Sequence, residues 1–231
     1  MTTKELYKIA YKFYINGNYP EAANYLKQAY ANMKTYTEEY AAETIYLIAF
    51  FLYYDIGFVQ NKGEAKEYLK DLLRARPQFT DALWLLGHIY AEEGFATSAF
   101  ELIEKGALLG DKRCKSELSL YYMEGFGVEE DGNKAFMYAS AASSTALGKY
   151  ALACLYFWGA KGFKPNLEWA EIWAEMALEQ GQEDAQELLN DILEYKRQRL
   201  SGVGKSVLKN MGRVALEETE DYLSDLFTPG L

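Results

Sequence analysis

A tyrosine followed three residues later by a glycine recurs four times along the chain. The pairs are Tyr14/Gly17, Tyr54/Gly57, Tyr122/Gly125 and Tyr156/Gly159, with a looser copy at Tyr90/Gly94. Behind each glycine an alanine opens a second pattern, with an apolar residue three on and a small or apolar residue seven on. These sets are Ala22/Tyr25/Ala29, Ala65/Tyr68/Leu72, Ala99/Leu102/Gly106, Ala135/Tyr138/Ala142 and Ala170/Trp173/Ala177. Spacings of three, four and seven residues place each set on one helical face. The recurring unit is therefore a helix A, a turn at glycine, and a helix B. Ala65, Ala99, Ala135 and Ala170 stand 34, 36 and 35 residues apart, whereas Ala22 and Ala65 are separated by 43. One such pair has a narrow apolar stripe that it cannot bury alone, so the pairs must stack into one array. The small residues at each crossing let the two helices approach closely.

The 231 residues, 50% hydrophobic and 25% charged, supply a core and exclude a wholly disordered chain. No Pro/Ser-rich linker interrupts the array, which predicts one elongated domain over residues 1–198. Aromatic residues reach 16%, with 20 tyrosines. At that density they fill gaps between helices, or form binding platforms on a concave surface. A net charge of −10 argues against a nucleic-acid partner and against adhesion to an anionic membrane. Proteins and neutral ligands remain. The first residues, Met1 to Ala10, lack the apolar run of a signal peptide. The most apolar stretch, Thr44 to Val59, is shorter than the roughly 20 residues of a spanning helix and reads as a buried helix. The expectation is a cytoplasmic protein whose two cysteines stay reduced.

Ala82 to Tyr90 contains Leu-Gly-x-x-Tyr, and Leu118 to Tyr122 and Leu152 to Tyr156 repeat it with Ser or Ala for Gly. Gly125-Phe126-Gly127-Val128-Glu129-Glu130-Asp131, followed by Lys134-Ala135, has the form G-x-G-V-x-x-D-x-x-K-A. Gly159 to Ala170 is a degenerate copy, with Phe163 for Val and Asn166 for Asp. These features resemble the Sel1-like and tetratricopeptide repeats over about residues 3–198. The Gly-to-Ala distance is 10 and 11 residues in the last two repeats, as in the long Sel1-like turn. It is 5 in the first and third repeats, as in the short tetratricopeptide turn, and 8 in the second. The pattern predicts helices at 3–16, 19–33, 38–56, 62–75, 79–93, 96–109, 112–124, 132–143, 147–158, 167–180 and 183–198. The last is a cap helix, and Asp131 and Asn166 cap the helices that follow them.

Candidates for chemistry are sparse. Gly202-Val203-Gly204-Lys205-Ser206 resembles the end of a phosphate-binding loop, but Arg199 stands where that loop needs glycine and a helix precedes it. It reads as a helix-to-helix turn. His88 is the only histidine, so a catalytic triad or multi-histidine metal site cannot form within this chain. Cys114 and Cys154 lie in different repeats and read as small buried residues. The acidic groups Glu92-Glu93 and Glu129-Glu130-Asp131 are solvated helix ends, or a carboxylate pair for acid/base work if a pocket encloses them. No cofactor and no metal is expected.

The resemblance implies that helix A residues at set offsets from the Leu-Gly core face a concave groove. By position these are Ile45, Ile48, Leu52 and Asp55, then Asp81, Trp84, His88 and Glu92. The fourth repeat adds Arg113, Ser116, Leu120 and Met123, and the fifth Leu147, Tyr150, Cys154, Phe157 and Trp158. Glu5, Lys8 and Lys12 make the first repeat's share polar. Trp84, His88, Leu120, Tyr150, Phe157 and Trp158 are the expected partner-binding residues. The alternative is that neighbouring helices or the tail cover them, and His88 reads equally as a packed residue. In the tail, 199–231, an apolar stripe from Val203 to Ala215 opposes Lys205, Lys209 and Arg213, and an acidic run from Glu217 follows. That is an amphipathic helix, which would dock on its own groove or on another chain.

The expected fold is an all-α, right-handed solenoid of five helix pairs with a cap helix and a C-terminal amphipathic helix. The expected function is non-catalytic protein–protein binding, as an adaptor or scaffold, with a protein or peptide partner. One alternative is an immunity or inhibitor protein that blocks one cognate enzyme, with the acidic charge favouring a basic target. The other is an enzyme, because the resemblance extends to disulfide-rich β-lactam-binding relatives, although this chain lacks their paired cysteines. Oligomeric state is not readable from the sequence.

Overall fold

In the computed structural model, which describes residues 1–36 and 38–200, helix follows helix. They are α1 (Thr3–Ile15), α2 (Tyr19–Asn32), α3 (Ala41–Tyr54), α4 (Lys62–Ala75), α5 (Thr80–Glu92) and α6 (Ala96–Leu108). Then come α7 (Lys112–Glu124), α8 (Gly132–Ala141), α9 (Ala146–Trp158), α10 (Leu167–Glu179) and α11 (Asp184–Leu200). Among the described residues there is no strand, only an isolated bridge between Ala160 and Phe163. The helix bounds agree with the sequence reading to within three residues. The largest shift, at the start of α3, has a local cause. Tyr40 holds a left-handed conformation at φ 66°, and the Thr44 hydroxyl donates to its carbonyl at 2.7 Å, so the helix cannot begin earlier.

Side-chain caps set six of the other starts. Thr2 and Glu5 form a reciprocal capping box on α1. Asp131 accepts from the backbone N–H groups of Asn133 and Lys134, and Asn166 from that of Trp169, as their spacing implied. Asn61, Asp111 and Thr145 do the same for α4, α7 and α9.

Two turn classes separate the helices of a pair. After α1 and α5 the turn is tight, and the N–H groups of Asn18 and Phe95 return to the carbonyls of Phe13 and Tyr90 at 2.9 and 2.8 Å. After α3, α7 and α9 it is long, and the capping residue's own N–H reaches back to the preceding helix. Asn61 donates to Leu52, Asp131 to Tyr122 and Asn166 to Tyr156, at 2.9, 2.8 and 2.6 Å. The second repeat therefore carries the long turn, although its glycine-to-alanine distance is intermediate.

The described chain divides into two compact units, Met1–Leu109 and Gly110 onward, a division inside the span expected as one domain. In the N-terminal unit α1 packs on α2, α3 on α4 and α5 on α6, with α3 also touching α1 and α5. Ten of the 14 residues of α3 are buried, including Ile45, Ile48, Phe51 and Leu52. The crossing alanines Ala22, Ala65 and Ala99 are fully buried. A Cβ on Gly87 would stand 2.8 Å from Ile103, which shows how close α5 and α6 come.

In the C-terminal unit α7 pairs with α8 and α9 with α10, and α11 lies against α10 and α9. Ala135 and Ala170 are again fully buried. The two long turns of this unit interlock. The Gly132 N–H donates to the Lys161 carbonyl at 2.8 Å, and the Lys161 N–H donates to Glu130 Oε1 at 2.6 Å. A Cβ at Gly132 would meet Phe163 at 2.5 Å, so the glycine is needed there. Helix α11 provides the expected cap, burying Leu188, Ile192 and Tyr195. The Gly202–Ser206 stretch and the Val203–Ala215 stripe lie outside the described residues.

Candidate functional site

Three tyrosines of α1, Tyr7, Tyr11 and Tyr14, follow one another at spacings of four and three, so they share a face. On α3, Glu43, Tyr46, Leu47 and Phe50 do the same. Phe79 and Asp81 at the start of α5 complete a cup of about 220 Å³ within the N-terminal unit. Its rings are in mutual contact. Tyr7 and Tyr11 lie 6.0 Å apart, Tyr14 meets Phe50 edge-on at 6.5 Å, and Tyr46 sits 6.0 Å from both Phe50 and Phe79. These are the distances of favourable offset and edge contacts, so the wall is preorganised. Burial, and then the negative field of Glu43 together with Tyr11, Tyr40 and Asp81, pushes the Tyr7 phenol up to about 12. It stays protonated and able to donate at neutral pH.

Further along α5, Trp84 and His88 are half-buried and stacked, with ring centroids 5.7 Å apart. Tyr53 of α3 meets His88 edge-on at 6.1 Å. His88 Nε2 stands 3.9 Å from Glu92 Oε1. Glu92 also accepts from the Tyr53 hydroxyl and from Lys62 Nζ, at 2.5 and 2.8 Å. Burial holds the His88 imidazole below its ordinary pKa, against the opposing pull of Glu92 and with the help of Lys62. Lys62 and the Tyr53 hydroxyl hold the Glu92 carboxyl below the usual carboxylate range.

The other expected contact residues belong to the C-terminal unit. Leu120 is half-buried and packs on the cluster of Ala139, Ala151 and Leu152. Tyr150 is half-buried on α9. Phe157 and Trp158 are only 2% and 7% exposed. They touch each other at 4.4 Å, and Phe157 meets Tyr195 of α11 edge-on at 6.2 Å. The cap helix covers Phe157 through Tyr195, and both rings are too buried to form an open aromatic surface. The same unit has a second aromatic hollow of about 220 Å³, lined by Phe136, Leu152, Tyr156, Trp169 and Trp173 with Ser140 and Ser143.

The position-based offsets missed the cup. On α3 they selected Ile45, Ile48 and Leu52, which are core, while the cup uses Glu43, Tyr46, Leu47 and Phe50. On α1 they selected Glu5, Lys8 and Lys12, which are exposed and do not line the cup. One residue of register rotates a side chain by about 100°, enough to exchange core for surface. The signal that finds the cup is the Tyr7/Tyr11/Tyr14 stripe. On α5 the offsets selected Asp81, which lines the cup.

Both cysteines are buried, and burial pushes the Cys114 thiol well above its ordinary pKa, leaving no thiolate for chemistry there. Among the described residues no His/Cys/Asp/Glu group could hold a metal ion, and no helix is long and apolar enough to cross a membrane.

No family model matches the sequence, and no curated protein matches it either. Solved structures do. A Sel1 repeat protein from Oxalobacter formigenes superposes over 92% of this chain and 85% of its own, with TM-score 0.63 and 22% identity. The protein c5321, a protective antigen of uropathogenic Escherichia coli strains with an SLR fold, matches all of this chain with TM-score 0.67 and 17% identity. This chain spans half of its length. A tetratricopeptide repeat protein from Parabacteroides merdae matches 92% of this chain and 80% of its own, with TM-score 0.57 and 14% identity. With the paired helices and two turn classes above, these likenesses identify the fold as the all-α repeat solenoid of the Sel1-like and tetratricopeptide repeat proteins.

Proposed function

We propose that the protein is a non-catalytic interaction module that holds a polypeptide segment in the cup formed by α1, α3 and α5. The observation that carries this reading is the cup itself. Partly exposed rings, held in mutual contact by rigid helices, present more apolar surface than solvation requires, and such patches mark partner sites. Trp84 and His88 extend the contact along α5. Leu120, Tyr150, Phe157 and Trp158 belong to the C-terminal unit and are left out of the proposed contact, the last two also because they are almost wholly buried. The net charge of −10 favours a basic partner, and blockade of one basic enzyme is the special case that charge supports. Its discriminating measurement is loss of the captured partner's own activity on binding.

The test is capture of partners by the full-length chain and by Tyr46→Ala and Phe50→Ala variants, with helicity followed by circular dichroism. A specific partner should be retained by the wild type and lost by both variants, since an aromatic anchor carries about 2 kcal/mol or more. Retention by both folded variants places the site elsewhere.

A further inference from the structure

Resting on that reading, we infer that the cup seats the side chain of an arginine from a basic polypeptide. Its volume of about 220 Å³ lies below the roughly 300–1,000 Å³ of sites for drug-sized molecules, so it fits one side chain rather than a bulky cofactor. Tyr11, Tyr14, Tyr46 and Phe50 line it, and aromatic rings attract a cation through the negative side of their quadrupole. Two carboxylates, Glu43 and Asp81, enter the same lining. Glu43 is half-buried and has no ion-pair partner among the described residues. A carboxylate set among rings is poorly hydrated, and an incoming cation relieves that deficit.

Two lysines of α1 are committed to another ring. Lys4 and Lys8 lie over Tyr40 at 5.9 and 5.8 Å, Lys4 is paired with Glu39 at 2.7 Å, and neither lines the cup. Arginine suits the site better than lysine. Its planar guanidinium stacks on aromatic faces, offers a fork of donors to carboxylates, and sheds water more readily than an ammonium. A polypeptide suits it better than a free small cation because the surface continues beyond the cup. Asp81, Trp84 and His88 follow one another at spacings of three and four on α5, on one face.

The experiment is selection of a random decapeptide library on the full-length chain, followed by anisotropy titration of the enriched peptides. Arginine should be enriched at one fixed position. Its replacement by citrulline, which keeps the shape and removes the charge, should weaken binding about ten-fold or more. Glu43→Gln should do the same while the melting temperature holds. Enriched neutral or acidic peptides, a citrulline peptide that binds as tightly, or a lysine peptide of equal affinity overturns the arginine assignment. If those peptides still lose binding to Phe50→Ala, the groove reading stands without it. Peptides indifferent to Phe50→Ala, or no enrichment at all, sink both.

Discussion

Gly148 stands where the start of α9 meets the turn leaving α8. A Cβ there would lie 2.1 Å from the Ala142 carbonyl oxygen and 2.9 Å from the Thr145 hydroxyl that caps the helix. Glycine-to-alanine changes inside a helix ordinarily stabilise by up to about 1 kcal/mol. Here the contact is with backbone, so Gly148→Ala should destabilise by about 1–3 kcal/mol. Gly63, in the first turn of α4, has no atom nearer than 3.6 Å, and Gly63→Ala should be neutral or stabilising by about 0.4–1 kcal/mol. Urea denaturation followed by circular dichroism reads both, and equal midpoints would mean that the α8–α9 turn yields freely. His88 gives a second residue-level readout because it is the only histidine. Its folded pKa lies below the ordinary 6.5, mainly through burial. The neutral imidazole is therefore the favoured form, and the stability it lends is present above pH 6.5 and falls away as pH drops below that value. A one-dimensional proton NMR titration of its ring should show the depressed midpoint. Glu92→Gln should lower it further, since Glu92 pulls the other way; a rise would contradict the arrangement.

Helix α9 is buried on nearly every side, and its one charged residue shows how an element of this kind is held. Lys149 is 6% exposed, and its ammonium donates to the Ser143 carbonyl at 2.9 Å and to Gln180 at 3.0 Å. It thereby joins the turn before α9 to the C-terminus of α10. The far end of α9 depends on α11 instead. Tyr195 is 4% exposed and covers Phe157. Truncating a buried aromatic costs about 3–5 kcal/mol, so Tyr195→Ala should lower stability by about that amount and expose Phe157 and Trp158. Dye binding to newly exposed apolar surface should rise with it. A variant as stable as the wild type, with no added dye binding, would show that α11 is dispensable as a cover.

Charge acts over the whole molecule. With net −10, long-range attraction should speed encounter with a basic partner, while close contacts govern how long it stays. The screening length shrinks from ~10 Å at 0.1 M salt to ~3 Å at 1 M. The association rate of an arginine-bearing peptide should therefore fall steeply over that range, with a smaller change in dissociation rate. Stopped-flow measurements across salt concentrations read this directly, and a flat association rate would show that steering contributes nothing.

The repeat architecture was legible in the chain because its determinants are local. A period near 35 residues, alanines wherever two helices cross, and Asp131 and Asn166 at helix starts each act within one helix pair. The second repeat was less legible, because the Asn61-to-Leu52 hydrogen bond that marks its long turn has no counterpart in the glycine spacing. Which aromatic rings stay open could not be read from any single helix. Tyr7, Tyr11 and Tyr14 form as regular a stripe as Ile45, Ile48 and Leu52, yet one stripe lines a cup and the other is core. Phe157 and Trp158 occupy groove positions by sequence and are buried, Phe157 beneath Tyr195 of α11. An apolar face in a helical array has several neighbours competing to bury it, and only the tertiary packing decides which face is left without one.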